Sequence, residues 1–190
     1  MHITELNRAV VLTSVSVASR VRPADLARPT PCAGWSVTDL LAHMSVQHHG
    51  FAAAARGEQA RWEPRAAADP VADYLSASAE VLQAFAGADR PFSLPEIGPA
   101  PFPAEQAIGF HFIDYVVHSW DLARAVGTSV SFDNEVLEPA LGIARFVPGG
   151  AARTRPGAAF APALSERDGG LLDQILVLLG RSPDWPEPVR

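Results

Sequence analysis

The sequence predicts an all-α protein, and three observations predict it. Apolar residues recur at three- and four-residue steps through six separate segments. Caps, prolines and glycines punctuate the intervals between those segments. No stretch keeps the strict alternation of a half-buried strand, and strand signals are weak throughout.

The first helix is expected over residues 3–22, with Leu6, Val10, Val11, Val15, Val17 and Val21 on its apolar side and Pro23 as its stop. Valine is a poor helix former, so packing has to hold this segment. A connector with two prolines and a glycine follows, and Ser36 then opens a second helix. Asp39 at the third helical position makes a capping-box pattern with Ser36. Val37, Leu40, Leu41, Met44 and Phe51 give this helix an apolar face, and Gly57 ends it near Arg56. Residues 57–70 read as a polar surface loop. Pro70 suits the first position of a third helix that runs to about Ala86, before Gly87.

Residues 88–103 hold five prolines, but Phe92, Leu94, Ile97 and Phe102 all want cover, so a structured crossover is expected there. The fourth helix spans roughly Ala104–Val126 without a proline and closes at Gly127. Asp133 or Asn134 can cap a fifth helix that ends near Val147, ahead of Pro148-Gly149-Gly150. The last helix carries Leu171, Leu172, Ile175, Leu176, Leu178 and Leu179, with Gly180 as its stop and a proline-rich tail over residues 182–190.

A chain of 190 residues, 48% hydrophobic and 19% charged, is enough for one domain, expected over 1–190. The net charge of −6 gives no basic patch for phosphates and excludes nucleic acid as a partner. Every basic residue is an arginine, so a Schiff-base lysine is excluded and no single arginine stands out. The single cysteine, Cys32, rules out an intrachain disulfide and fits a reducing compartment. With no signal pattern at the N-terminus and no membrane-length apolar run, a cytoplasmic protein that avoids membranes is expected.

Chemistry concentrates in His111–Asp121, on the fourth helix. Asp114 and His118 are four apart, so they project from one face and can share a metal ion. His111 lies two turns from His118, about 10.5 Å along the axis, too far to bind the same ion. Asp121 can touch His118 or orient it from behind. A third ligand is available in His43, near the middle of the second helix, if that helix neighbours the fourth. Two histidines and one carboxylate leave positions open, the arrangement of catalytic rather than structural zinc, and the same set suits ferrous iron. The rival reading is a hydrogen-bonded core trio without metal. Asp39 is explained better by capping than by ligation. His48 and His49 face different sides, at least one of them solvated, and neither is given a role. Cys32 is read as buried rather than nucleophilic. Tyr115 and Trp120 could wall a pocket, although core packing accounts for both.

Pro-Thr-Pro-Cys-Ala-Gly-Trp-Ser-Val-Thr-Asp-Leu-Leu-Ala-His (residues 29–43) and Asp-Tyr-Val-Val-His-Ser-Trp-Asp-Leu-Ala (residues 114–123) resemble the DinB-like superfamily. More closely, they resemble its branch related to the metal-binding domain of mycothiol-dependent maleylpyruvate isomerase. Leu-Val-Leu-Leu-Gly-Arg-Ser-Pro-Asp-Trp (residues 176–185) is similar to that branch as well. The resemblance implies an up-down-down-up four-helix bundle over about 3–127, a long connection between the second and third helices, and an extension with additional helices over about 128–190. It also implies a divalent metal held by His43, Asp114 and His118: zinc first, with nickel or iron as alternatives. Asp114 departs from the isomerase, which has a glutamate there, and from the many DinB-like proteins with a third histidine.

Two functions follow as expectations. One is a transferase or isomerase in which the metal activates a small thiol, mycothiol by resemblance, against a small electrophilic substrate. The other is a metal- or ligand-binding bundle without turnover, in either case open to forming a homodimer.

Overall fold

The computed structural model describes residues 1–154, 158–165 and 168–186, so the end of the expected proline-rich tail lies outside the described residues. Among the described residues six α-helices form: α1 (Ile3–Ala18), α2 (Val37–Arg56), α3 (Pro70–Phe85), α4 (Ala104–Ala125), α5 (Asn134–Phe146) and α6 (Leu171–Leu178). Among the described residues β-pairing is confined to two isolated bridges, Pro29 with Ser36 and Phe92 with Phe102. No described helix is long and apolar enough to cross a membrane.

Local chemistry sets most helix ends. Ser36 Oγ accepts the Asp39 backbone N–H at 3.3 Å, and Asp39 Oδ2 accepts the Ser36 N–H at 2.9 Å, completing the capping box of α2. Gly57 ends α2 at φ +74°, a conformation costly for any side chain. Asp69 Oδ1 accepts the N–H groups of Val71 and Ala72 at the start of α3, with Pro70 in its first turn. Replacing Ser36 with alanine is expected to cost about 1 kcal/mol, read as a lower denaturant midpoint with unchanged slope.

α1 corrects its sequence reading: it stops at Ala18, short of residue 22. Arg22 is held extended (φ −100°, ψ 157°), as a residue before proline prefers. Asp25 fastens that geometry by accepting both the Arg22 backbone N–H (3.1 Å) and its guanidinium (2.9 Å). Leaving the helix early lets the chain turn into a short 3-10 segment, Pro23–Asp25.

Side-chain pairs give the helix directions. His2 meets Glu105 and Asn7 meets His111, so α1 and α4 run parallel. The Tyr115 hydroxyl donates to the Met44 carbonyl and His48 meets His111, so α2 runs against α4. Ser14 bonds Tyr74, placing the end of α1 beside the start of α3, while Phe51 packs on Phe85. The order is up-down-down-up. Because α2 and α3 run the same way, residues 57–69 must return along the bundle, and Trp62 packs edge-on against Phe51 as they do so. Gly50 makes room for this return, since a Cβ there would lie 2.4 Å from the Trp62 ring.

The α3–α4 connection is structured by paired backbone bonds between Phe92 and Phe102 (2.8 and 2.9 Å), with Phe92 and Leu94 buried. Ile97 departs from expectation and is 48% exposed. The Ile97 and Gly98 N–H groups both turn back to the Leu94 carbonyl, and that tight turn carries Ile97 away from the core. α5 packs on α4 and α6 on α5. Arg153, nearly buried, donates to the carbonyls of Val147, Pro148 and Leu178, tying the ends of α5 and α6 together.

The core is mostly aliphatic, built from Leu40, Leu41, Met44, Phe112, Val116 and Leu122 among others. Such a core is expected to fold without help from a metal. Chelation is therefore expected to leave far-ultraviolet helicity unchanged and to lower Tm only by the linkage of lost binding.

Candidate metal centre

Antiparallel packing of α2 and α4 brings the three expected residues together. Asp114 Oδ1 lies 3.4 Å from His118 Nε2. The His43 and His118 rings meet nearly edge to face at 5.2 Å between centroids. One donor atom from each of His43, Asp114 and His118 lies within 4.8 Å of the others. Metal–ligand bonds of about 2.1 Å at tetrahedral angles put donors about 3.4 Å apart, so a modest inward shift seats an ion. Two neutral nitrogens and one carboxylate oxygen form a donor set suited to a divalent cation.

His118 is held from behind. Its Nδ1–H donates to Asp121 Oδ2 at 2.9 Å, which directs the Nε2 lone pair toward His43 and Asp114. Asp121 is in turn clamped by Arg181, whose Nε and Nη2 lie 2.9 and 3.1 Å from its two oxygens. Cys32 Sγ closes the group, 3.2 Å from Asp121 Oδ2 and 3.2 Å from Arg181 Nη2. Cys32, His118 and Asp121 are also close enough to hold an ion. The Arg181 guanidinium, however, already places a positive charge against Cys32 and Asp121, so the second group has its cation.

Electrostatics sorts the members. Burial pushes His43 down to about 4, assisted by the neighbouring His118, so its imidazole is neutral near pH 7. Burial would raise Asp114, but His118 beside it outweighs that and holds the carboxyl at about 2. Burial likewise opposes charge on His118, yet the Asp114 charge and the hydrogen bonds that the ring makes to Asp114, Asp121 and Cys32 raise it well above the usual histidine range. A metal at Nε2 would take the place of that proton. His118 is buried, while the Asp114 side chain is 18% exposed, so the centre sits at the edge of the core with one side toward solvent. Trp35 covers His43 at 4.9 Å between ring centroids.

The remaining candidates fall elsewhere. Asp39 caps α2. His111 belongs to a separate buried chain: its Nδ1–H donates to Asn7 Oδ1 at 2.7 Å, and its Nε2 accepts from His48 Nδ1 at 3.0 Å. His48 is fully buried between the Tyr74 and Tyr115 rings, whereas His49 is partly exposed and pairs with Glu80 at 2.6 Å. Tyr115 and Trp120 are core residues, Trp120 carrying Arg124 over its face at 5.7 Å.

Sequence reasoning passed over Arg181, and it read Cys32 as buried, as it is, without placing it in this group. Arginine carries no signal in a chain without lysine, and Cys32 is 86 positions from His118. Both do lie inside the motifs that carry the family resemblance.

The family model described as "Mycothiol maleylpyruvate isomerase N-terminal domain" matches residues 9–123, which include all three ligand candidates. Two uncharacterised proteins of Mycobacterium tuberculosis, MT0763 and Rv0738 from different strains, are each 34% identical over 174 residues, covering 88% of this chain and 91% of theirs. Two crystal structures share the fold, one of a mycothiol-dependent maleylpyruvate isomerase and one of a mutant of it. Their TM-scores are 0.65 and 0.66 at 16% and 14% identity, covering 99% of this chain and 93% of theirs. By motif, topology and family match together, this chain belongs to the mycothiol maleylpyruvate isomerase N-terminal domain family, a DinB-like four-helix bundle.

Proposed function

We propose that this protein binds one divalent metal, zinc in the first instance, through His43, Asp114 and His118, and works with a small thiol as a transferase or isomerase. The observation that carries the reading is the convergence of two imidazoles and a carboxylate from two helices at the solvent edge of the core. Three protein ligands leave open positions, as in catalytic rather than structural sites. When bound, such an ion lowers the pKa of a coordinated thiol, so that thiolate is present at neutral pH.

The protein's own groups supply position and exclusion. Asp121 and Arg181 orient His118, and Trp35 shields the His43 face from water. Cys32 is buried and bonded to Asp121 and Arg181, so the reacting sulfur is an exogenous one. Mycothiol is the thiol proposed, supported by the family description and by the named activity of the structural neighbours. We take the whole chain as one functional unit and place it in the cytoplasm, where a lone reduced cysteine is at home.

The test is to load the protein with cobalt(II) and titrate in mycothiol. A sulfur-to-cobalt charge-transfer band is expected, together with thiol-dependent turnover of small electrophiles. A stoichiometric metal site that shows neither leaves a binding protein without catalysis, the second reading, which the same three ligands support.

A further inference from the structure

The solvent-facing rim of the metal centre carries charge of one sign. His43 beside His118 and His48 beside His111 set the register of α2 against α4, and in that register Gln47 comes opposite Asp114. Gln47 Nε2 donates to Glu96 Oε2 at 3.5 Å, which brings the carboxylate of the α3–α4 connection to this rim. Partial burial raises the Glu96 pKa, the Gln47 hydrogen bond partly opposes this, and the negative charges of Glu63, on the α2–α3 crossover, and of Asp114 add to the rise. Both carboxylates therefore act on Glu96 through space.

Once a metal has replaced the His118 proton beside Asp114, no described arginine offsets them. Arg181 is bonded to Asp121 and Cys32, and Arg124 donates to the Trp185 carbonyl. Arg61 and Arg65, on the crossover, have no ion pair or hydrogen bond to the site. With a divalent ion bound, Asp114 and Glu96 cancel its charge, the Asp121–Arg181 pair cancels itself, and a bound thiolate leaves the site net negative.

We propose that Glu96 is a specificity determinant, through which the site accepts an electrophile that carries no negative charge and turns away carboxylates. The proposal rests on the metal- and thiol-dependent reading above. Maleylpyruvate, with two carboxylates, is disfavoured as a substrate on the same ground. Glu96 makes no hydrogen bond or ion pair with His43, Asp114 or His118 in the described structure, so it acts through its field rather than as a ligand.

Azide and imidazole, one anionic and one neutral, report this on the cobalt-loaded protein through the visible spectrum. Glu96→Gln is expected to tighten azide roughly three- to tenfold at low salt, as removal of one charge at partly screened range should. Imidazole binding should stay unchanged, and the azide gain should shrink as salt rises. With thiol present, the same variant should raise turnover of maleate relative to diethyl maleate, whose ester groups are uncharged. Equal azide affinity in the two proteins, with cobalt bound normally, overturns the role of Glu96 and leaves the metal reading intact. Failure to take up cobalt at all overturns the metal reading and this proposal with it.

Discussion

His118→Ala is expected to abolish stoichiometric metal binding, weakening affinity by well over a hundredfold. Removing a group that merely supports a metal ligand costs about 10- to 100-fold, and removing a ligand should cost more. His118 is also the side chain on which the rest of the centre converges, with Asp114 on one nitrogen and Asp121 on the other. Because deleting it takes a partner from both Asp114 and the buried Asp121, His43→Ala provides a second ligand loss at a less buried position. Asp121→Asn should fall within the 10- to 100-fold range, since it weakens the bond that aims His118 without removing a donor. His111→Ala should keep the metal, because both of its ring nitrogens are engaged with Asn7 and His48. Metal analysis after dialysis, with circular dichroism as the folding control, reads all four. Wild-type affinity in His118→Ala, or metal loss in a folded His111→Ala, would show that the ligands are misassigned.

Acid should destabilise the metal-free protein steeply. His111 is pushed down to about 3 by burial, only partly opposed by Asp114, and His48 is pushed well below its usual value by burial and by His111 and His49. A histidine with a depressed folded pKa contributes stability above its unfolded pKa of about 6.5, and that stability is lost as pH falls toward the folded pKa. Each such imidazole costs about 1.4 kcal/mol per pH unit in that window, so His111 alone approaches about 5 kcal/mol by pH 3. His43, held at about 4, adds to the loss. His118 works in the opposite sense: its raised pKa gives stability that is complete below about 6.5 and is lost only at higher pH, so it does not flatten the acid limb. Denaturant midpoints measured from pH 7 to pH 4 in chelator should fall continuously. A flat profile over that range would mean that the buried imidazoles carry charge in the folded state.

Short-range grammar made much of the molecule legible in the sequence. The capping box of Ser36 and Asp39, the stops at Gly57, Gly127 and Gly180, and Pro70 in the first turn of α3 depend on neighbours within a turn. The pairing of Asp114 with His118 is equally local, because four residues of helix bring two side chains onto one face. His43 as their partner was legible only on the assumption that two particular helices are neighbours. Where local preference competed with longer-range contacts, the sequence misled. Val21 continues the apolar spacing of α1, but the Arg22–Asp25 bonds pull the chain out of the helix before it.

Other features came from tertiary packing alone. Cys32, Asp121 and Arg181 converge from positions as much as 149 residues apart, and nothing in their local sequence states that a guanidinium will settle against both a thiol and a carboxylate. His48 and His49 are adjacent in the chain, yet one is sealed between tyrosines and the other meets Glu80 near the surface. Glu96 reaches the rim of the metal centre because the α3–α4 connection folds over α2 beside Gln47. Sequence by itself determined which residues can cap, coordinate or fill a core, because those are properties of single side chains and of one helical turn. The antiparallel register of α2 against α4 decided which of them meet and what charge surrounds them. That register is an outcome of how the apolar faces of the four bundle helices fit together, which no window along the chain contains.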